Sequence, residues 1–431
     1  MNLSDKIKSI ILSHIVPENQ RQVGLEIESL YYDAPFNRLP VNQTNSYSAT
    51  DLLLDIQNSC LDDDLFSYSL EPGGQLEWAS APAISMWSLQ KQFDRHLVLE
   101  DKICNKHNIN RLHLSLEPFC VPDDIKLIES KKYKLMHALF TKTGDLGPWM
   151  MRNTTSLQLN IDYTSKQDAN EMAFLADSIQ PLFSILFSNS PFMTGEPVGS
   201  QNIRWKIWED TDPMRCRSLF SHGIHSLDQM VTDYAKWLQR VPTIFEYIPN
   251  GDVRAFEGSL GEMIMSHPDE IESRILSAFH QSFTHVRYKT VLEIRSSDRP
   301  NRGNELAPAT FMAGLLTSKK IRSQLLKIVS SWSNMDRAQL IDTAYELSYS
   351  NIGPQGKTIG VWLETLSSLA LEGLDERSSY FNINNERPLL EPLLNNILMN
   401  GPMTLQTQQA YKQSGYSLHH FLMDCCLDSA K

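Results

Sequence analysis

Four short segments of this chain place acidic side chains on one side of an extended strand. In VGLEIES, Val23, Leu25 and Ile27 alternate with Gly24, Glu26 and Glu28. A strand repeats every two residues, so both glutamates share a face and the aliphatic residues take the other. TSLQLNIDY repeats the pattern, with Leu157, Leu159, Ile161 and Tyr163 against Ser156, Gln158, Asn160 and Asp162. TVLEIRSSD alternates Leu292 and Ile294 with Glu293 and Arg295. In YSLEPGGQLEW, Glu71 ends a strand, Pro72-Gly73-Gly74 makes a turn, and Gln75 and Glu77 then face away from Leu76 and Trp78. Any one such strand is the ordinary wet face of an antiparallel sheet. Together they gather Glu26, Glu28, Glu71, Glu77, Asp162 and Glu293 against one evident cation, Arg295. Carboxylates at that density repel and raise one another's pKa unless cations sit among them. Oxygen-only donors, without histidine or thiolate, suit magnesium or manganese. The reading requires the four strands to be neighbours.

A second cluster, SPFMTGEPVGSQNIRWKIWEDTDPMRCR, is irregular at Gly195, Pro197 and Gly199 and carries Arg204, Lys206, Arg215 and Arg217. It reads either as a solvated basic loop or as an anion cradle, with arginine forks gripping a carboxylate or phosphates. Trp205 and Trp208 would wall such a pocket, or belong to the core.

The scaffold for these strands is ample. The chain has 431 residues, 41% hydrophobic and 21% charged, the balance of a soluble globular protein with material for a sizeable core. A net charge of −12 argues against a surface that reads nucleic acid. No apolar run reaches the roughly 18 residues of a membrane span, and the charged amphipathic N-terminal stretch shows no cleavage-site pattern. A cytoplasmic location is expected. Cys60, Cys104, Cys120, Cys216, Cys425 and Cys426 show no CxxC spacing and read as reduced thiols, the last two as an ordinary terminal pair. His222, His225, His419 and His420 lack the partners of a zinc site, and GPQGKT (353–358) lacks phosphate-loop spacing.

Coarse periodicity gives a loop from Pro40 to Ser48, then a short helix capped by Thr50. A helix follows over Asp168–Phe187, with Pro181 as a possible kink. After residue 305 the pattern is almost wholly helical, over Thr310–Val329, Arg337–Leu347 and Lys357–Leu371. The expectation is an α+β protein in which residues 1–305 form the catalytic region and residues 306–431 a helical part packed on it. No Gly/Ser-rich linker separates them, so one integrated unit is favoured.

Five segments carry a family resemblance: VGLEIES, EPGGQLEWASAP, TTSLQLNIDY, NSPFMTGEPVGSQNIRWKIWEDTDPMR and YKTVLEIRSSD. In order and separation they resemble the plant- and proteobacterial-type glutamate–cysteine ligases, carboxylate–amine ligases whose catalytic sheet is related to that of glutamine synthetase. EPGGQ followed by an acid two residues later is the most specific element. The resemblance implies a curved, mainly antiparallel sheet forming an active-site funnel, with helices outside. It also implies ATP-dependent formation of γ-glutamylcysteine, the first step toward glutathione, with glutamate, cysteine and ATP as substrates. By the same resemblance Glu26, Glu28, Glu71, Glu77 and Glu293, with Gln158, would hold two or three magnesium ions (manganese being possible). Arg295, with Glu28 the other catalytic residue, would steady the γ-phosphoryl group and contact ATP. Arg204, Gln75 and Asn160 would bind substrate, and Arg215 the nucleotide. Trp78 stands where many relatives have a smaller residue. The segment just before Thr154 lacks the cysteine common in plant forms, so their disulfide switch is not implied.

Three readings fit these residues: glutamate–cysteine ligase, a ligase γ-glutamylating another amine or activating another acid, and a noncatalytic metabolite-binding descendant. The last has no use for so many metal-binding carboxylates plus Arg295. A glycoside hydrolase built on paired carboxylates leaves the arginines unexplained. Nothing in the sequence fixes an oligomeric state or a base for the amine.

Overall fold

The computed structural model describes residues 2–61 and 63–425. Its main sheet contains β1 (Val23–Asp33), β2 (Ser67–Leu70), β3 (Leu76–Ala79), β4 (Ile109–Leu112), β5 (Ser156–Ile161), β10 (Val286–Tyr288) and β11 (Leu292–Asp298). Two small hairpins, β6 (Phe192–Met193) with β7 (Glu196–Pro197) and β8 (Glu246–Tyr247) with β9 (Val253–Arg254), lie outside it. The order is β10-β11-β5-β1-β3-β2, with β4 on the far end of β1, and every pairing is antiparallel. All four acid-bearing segments are therefore neighbours in one sheet. Across its central strands Glu28 stands opposite Glu77, Glu26 opposite Gln158, and Asn160 opposite Glu293.

The alternation fixes which face is buried. Val23, Leu25, Ile27, Trp78, Leu157, Leu159, Ile161, Leu292 and Ile294 all enter the main hydrophobic cluster, each worth about 1.5–3 kcal/mol in removal from water. A one-residue slip would turn them to the wet face, so burial pins the register. The helix Lys166–Leu186 packs beneath β10 and β11 and is buried along nearly its whole length. Ser165 caps it by accepting the Asp168 amide, and Pro181 sits within it.

Some local expectations shift. The helix after the 40–48 loop is Ala49–Ser59, capped by Ser48 rather than Thr50. Ser48 and Asp51 bond each other's backbone reciprocally, an arrangement that holds two free amides at once. The expected Thr310–Val329 helix is two, Ala307–Thr317 and Lys319–Val329. Ser318 is extended and caps the second. Helix Ile359–Phe381 crosses Ala307–Thr317 where only glycine fits, since a Cβ on Gly373 would stand 1.9 Å from the Gly314 carbonyl oxygen.

One hydrophobic cluster contains side chains from both sides of residue 305, from Val23 to Ile397. Cys60, Cys120 and Cys216 are free thiols, and the Cys425 side chain and Cys426 lie outside the described residues. Among the described residues no helix is long and apolar enough to cross a membrane.

Candidate active site

The acidic sheet face lines a cavity of about 260 Å³. Glu26 and Glu28 reach it from β1, Glu77 from β3, Ser156 and Gln158 from β5, Arg295 from β11, and Glu71 from the turn between β2 and β3. Facing the sheet are Lys132, Tyr133 and Met136 of the helix Lys131–Thr143, Met150 and Met151, and Phe283. Arg204 and Trp208 enter from the helix Ile203–Glu209.

The EPGGQ turn is built tightly. The Glu71 amide donates to the Gln75 carbonyl and the Gly74 amide to the Glu71 carbonyl, both at 2.9 Å. Arg38 Nη2 donates to the Gly73 carbonyl at 2.6 Å. Gly73 presses on the Arg152 backbone, and a Cβ there would come within 2.5 Å of it. Gln75, expected to contact substrate, lines the cavity and also braces the turn. Its Oε1 accepts the Gly73 amide at 2.9 Å, and its Nε2 donates to the Thr154 and Met151 carbonyls at 2.9 and 3.3 Å.

Glu28, Glu71 and Glu77 press on one another although cations line the same cavity. Glu28 Oε1 accepts Ser156 Oγ and Gln158 Nε2, both at 3.0 Å. Burial and then Glu77 push the Glu28 carboxyl up to about 7. Burial and then Glu28 push Glu71 to about 7. Burial, Glu71 and Glu26 push Glu77 to about 8. Among the described residues no three acidic, histidine or cysteine side chains already close on one point. The fit to a metal is one of chemistry: oxygen donors that repel one another and take up protons near neutrality are the donors a divalent cation displaces protons from.

Glu293 differs. It is fully buried behind the wall and does not line the cavity. Arg287 grips it with Nε at 2.5 Å and Nη2 at 2.9 Å, Lys289 approaches at 2.7 Å and Arg295 at 3.1 Å. Although burial pushes its carboxyl up, Arg287, Lys289 and Arg295 hold it well below the usual range. Both oxygens, expected on a metal, are committed to guanidinium and ammonium groups. Through them Glu293 fixes three cations that do line the cavity.

Arg295 also donates from Nη1 to Gln158 Oε1, so Gln158 links Arg295 to Glu28. Arg204 is buried, 3.7 Å from Asp298 Oδ1, and donates from Nη2 to the Arg295 carbonyl at 3.4 Å. Asp298 is anchored by the Asn189 amide and Ser190 Oγ, both at 2.6 Å. Asn160 donates to Glu26 Oε1 at 3.0 Å and, with Asp162, lines an adjoining cavity of about 500 Å³. Glu26 and Lys289 border both cavities. Arg215, expected to contact nucleotide, lies outside both. It is fully buried, with Nε on Asp212 at 2.7 Å and its other nitrogens on the Gln281 and Pro242 carbonyls at 3.1 and 2.8 Å. That guanidinium is structural because every arm is spent.

Sequence reasoning passed over Lys132, Tyr133, Arg287 and Lys289. Arg287 and Lys289 carry the period-two signal just upstream of Glu293, so they were legible. Lys132 and Tyr133 lie on a helix facing the sheet, and nothing local marks which side of that helix meets it.

The family model described as glutamate-cysteine ligase family 2 (GCS2) matches residues 22–356, running past residue 305 into the helical part. The chain is 30% identical over 281 residues to a chloroplastic glutamate–cysteine ligase of Arabidopsis thaliana, covering 64% of this chain and 53% of that protein. It is 29% identical to a chloroplastic glutamate–cysteine ligase A of Oryza sativa subsp. indica, covering 64% and 56%. The chain thus spans about half the length of the curated relatives it matches. A crystal structure of glutamate–cysteine ligase from Francisella tularensis in complex with AMP matches with a TM-score of 0.59 at 13% identity, over 94% of this chain and 87% of that one, a likeness of fold. Since the family model takes in every strand of the main sheet, the chain belongs to glutamate-cysteine ligase family 2.

Proposed function

We propose that this chain uses ATP to join the γ-carboxylate of glutamate to the amine of cysteine, giving γ-glutamylcysteine by way of γ-glutamyl phosphate. One observation carries the reading: Glu26, Glu28, Glu71 and Glu77 meet Arg204 and Arg295 in a single cavity. A carboxylate is a poor electrophile, so the γ-carboxylate oxygen first attacks the γ-phosphorus of ATP and ADP leaves. The amine nitrogen then attacks the acyl carbon and phosphate leaves. Such transfer depends on in-line positioning and charge neutralisation rather than on a protein nucleophile. Glu26, Glu28, Glu71 and Glu77, with Gln158 beside them, would hold two or three magnesium ions (or manganese), which neutralise phosphate charge and align the attacking oxygen when bound. Arg295, locked by Glu293 and Gln158, steadies the γ-phosphoryl group. Arg204, set by Asp298, takes the α-carboxylate of glutamate. Tyr133, Met136 and Phe283 close the side opposite the sheet and keep water from the acyl phosphate.

We propose further that residues 1–305 and 306–431 work as one unit, supported by their shared core. A cytoplasmic setting is supported by the free thiols of Cys60, Cys120 and Cys216. The reading is tested by ADP release with magnesium, ATP and glutamate against a panel of amines. Cysteine should give the largest stimulation. Another amine outperforming it would move the acceptor assignment, and no turnover with any amine despite ATP binding would refute ligase activity.

A further inference from the structure

We infer that Trp208 is the positioning residue for both ligand-facing arginines, one indole ring that holds Arg204 and Arg295 at once. The inference rests on the ligase reading above. Arg204 and Trp208 are four residues apart in the helix Ile203–Glu209 and so share a side of it. Arg295 arrives from β11. The guanidinium carbons lie 5.9 Å (Arg204) and 5.6 Å (Arg295) from the centre of the same ring, within the range of a cation–π contact.

Arg295 is also bonded to Gln158 and Glu293, but hydrogen bonding holds Arg204 only loosely. Arg204 has contacts at 3.7 Å and 3.4 Å, and the Nε of both arginines and Trp208 Nε1 are buried with no acceptor. Arg215, eleven positions on from Arg204, shows the contrast, with three close bonds and no ring. The two cavity guanidiniums also oppose each other. Burial first, and Arg295 in addition, depress the Arg204 guanidinium, while Asp298 and Glu28 support it. The ring adds attraction for both cations beyond that of the carboxylates of Asp298, Glu293 and Glu28 around them, and takes up none of their N–H groups. Trp205, three residues earlier, is used otherwise. It stacks on His285 at 4.3 Å and does not line the cavity.

Because Arg204 serves glutamate binding and Arg295 phosphoryl transfer, a change in one ring should move the glutamate KM and kcat together. The test places progressively fluorinated tryptophans at residue 208, which drain the ring face while keeping its shape, beside Trp208→Phe and Trp208→Leu. Log kcat/KM for glutamate should fall stepwise with fluorine count, to about tenfold at four fluorines. Trp208→Leu should raise the glutamate KM and lower kcat, each about tenfold, and Trp208→Phe should recover most of both. A flat fluorine series in an active enzyme, or Phe no better than Leu, would overturn the platform while leaving the ligase reading standing. Absence of glutamate-dependent ADP release in the unsubstituted protein would remove the ligase reading and the platform with it.

Discussion

Replacing Glu77 with glutamine should stabilise the metal-free protein by an amount that grows with pH. The Glu77 carboxyl is pushed from its ordinary 4.5 up to about 8, by burial and then by Glu71 and Glu26. Between those values the folded chain keeps a proton that the unfolded chain has lost. Stability therefore falls as pH rises through that window and levels off above about 8. At about 1.4 kcal/mol per pH unit the ionised form costs up to ~5 kcal/mol. Glu77 is partly open to the cavity and shares its titration with its neighbours, which brings the figure to about 2–3 kcal/mol. Glutamine cannot ionise, yet it can still accept the 2.8 Å bond from Ser69 Oγ. For 431 residues, an unfolding entropy of about 2 cal/mol/K per residue converts this to roughly 3 °C in Tm. Scanning calorimetry in chelator at pH 5, 7 and 9 should give a gap near zero at the lowest pH and about 3 °C at the highest. Saturating magnesium at pH 9 should narrow or reverse the gap, because the variant has lost a ligand. A variant that melts below wild type at pH 9 in chelator, or a gap constant with pH, would refute the account of the carboxylate cluster.

Glu28→Ala should abolish turnover with the fold intact, read by ADP release beside circular dichroism; a near-wild-type rate would count against the metal assignment. Arg295→Lys should slow phosphoryl transfer by about 100-fold or more in single-turnover ADP formation, because Nη1 alone bonds Gln158 and Glu293 and a lysine ammonium has no second planar nitrogen to offer the phosphoryl group beside it. Arg215→Ala should cost about 3–5 kcal/mol of stability by stranding buried Asp212, while the KM for ATP stays unchanged in whatever protein folds; a selective loss of ATP affinity would restore it to the nucleotide site. Gly73→Ala should cost about 1–3 kcal/mol and weaken magnesium binding by displacing the turn that carries Glu71, as titration calorimetry would report.

The amino-acid order by itself determined the alternation in VGLEIES, LQLNI and LEIR, and with it the face each carboxylate occupies, because side-chain direction in a strand follows from local geometry. It also carried the EPGGQ turn, whose glycines meet a requirement set within a few residues and against one neighbouring backbone. The fate of each charge was decided only by tertiary structure. Glu293 and Glu28 look alike in sequence, yet Glu293 faces Arg287 of the adjoining strand and Lys289 of the turn after it, whereas Glu28 faces Glu77. Arg204 and Arg215 look alike too, and only packing sends one to the cavity and the other to Asp212 and two carbonyls. Periodicity assigns a side of a strand but not the partner across the gap, which for Gln158 is Arg295, 137 residues away. Pairing energies depend on that partner and on burial, and neither is a property of the local sequence.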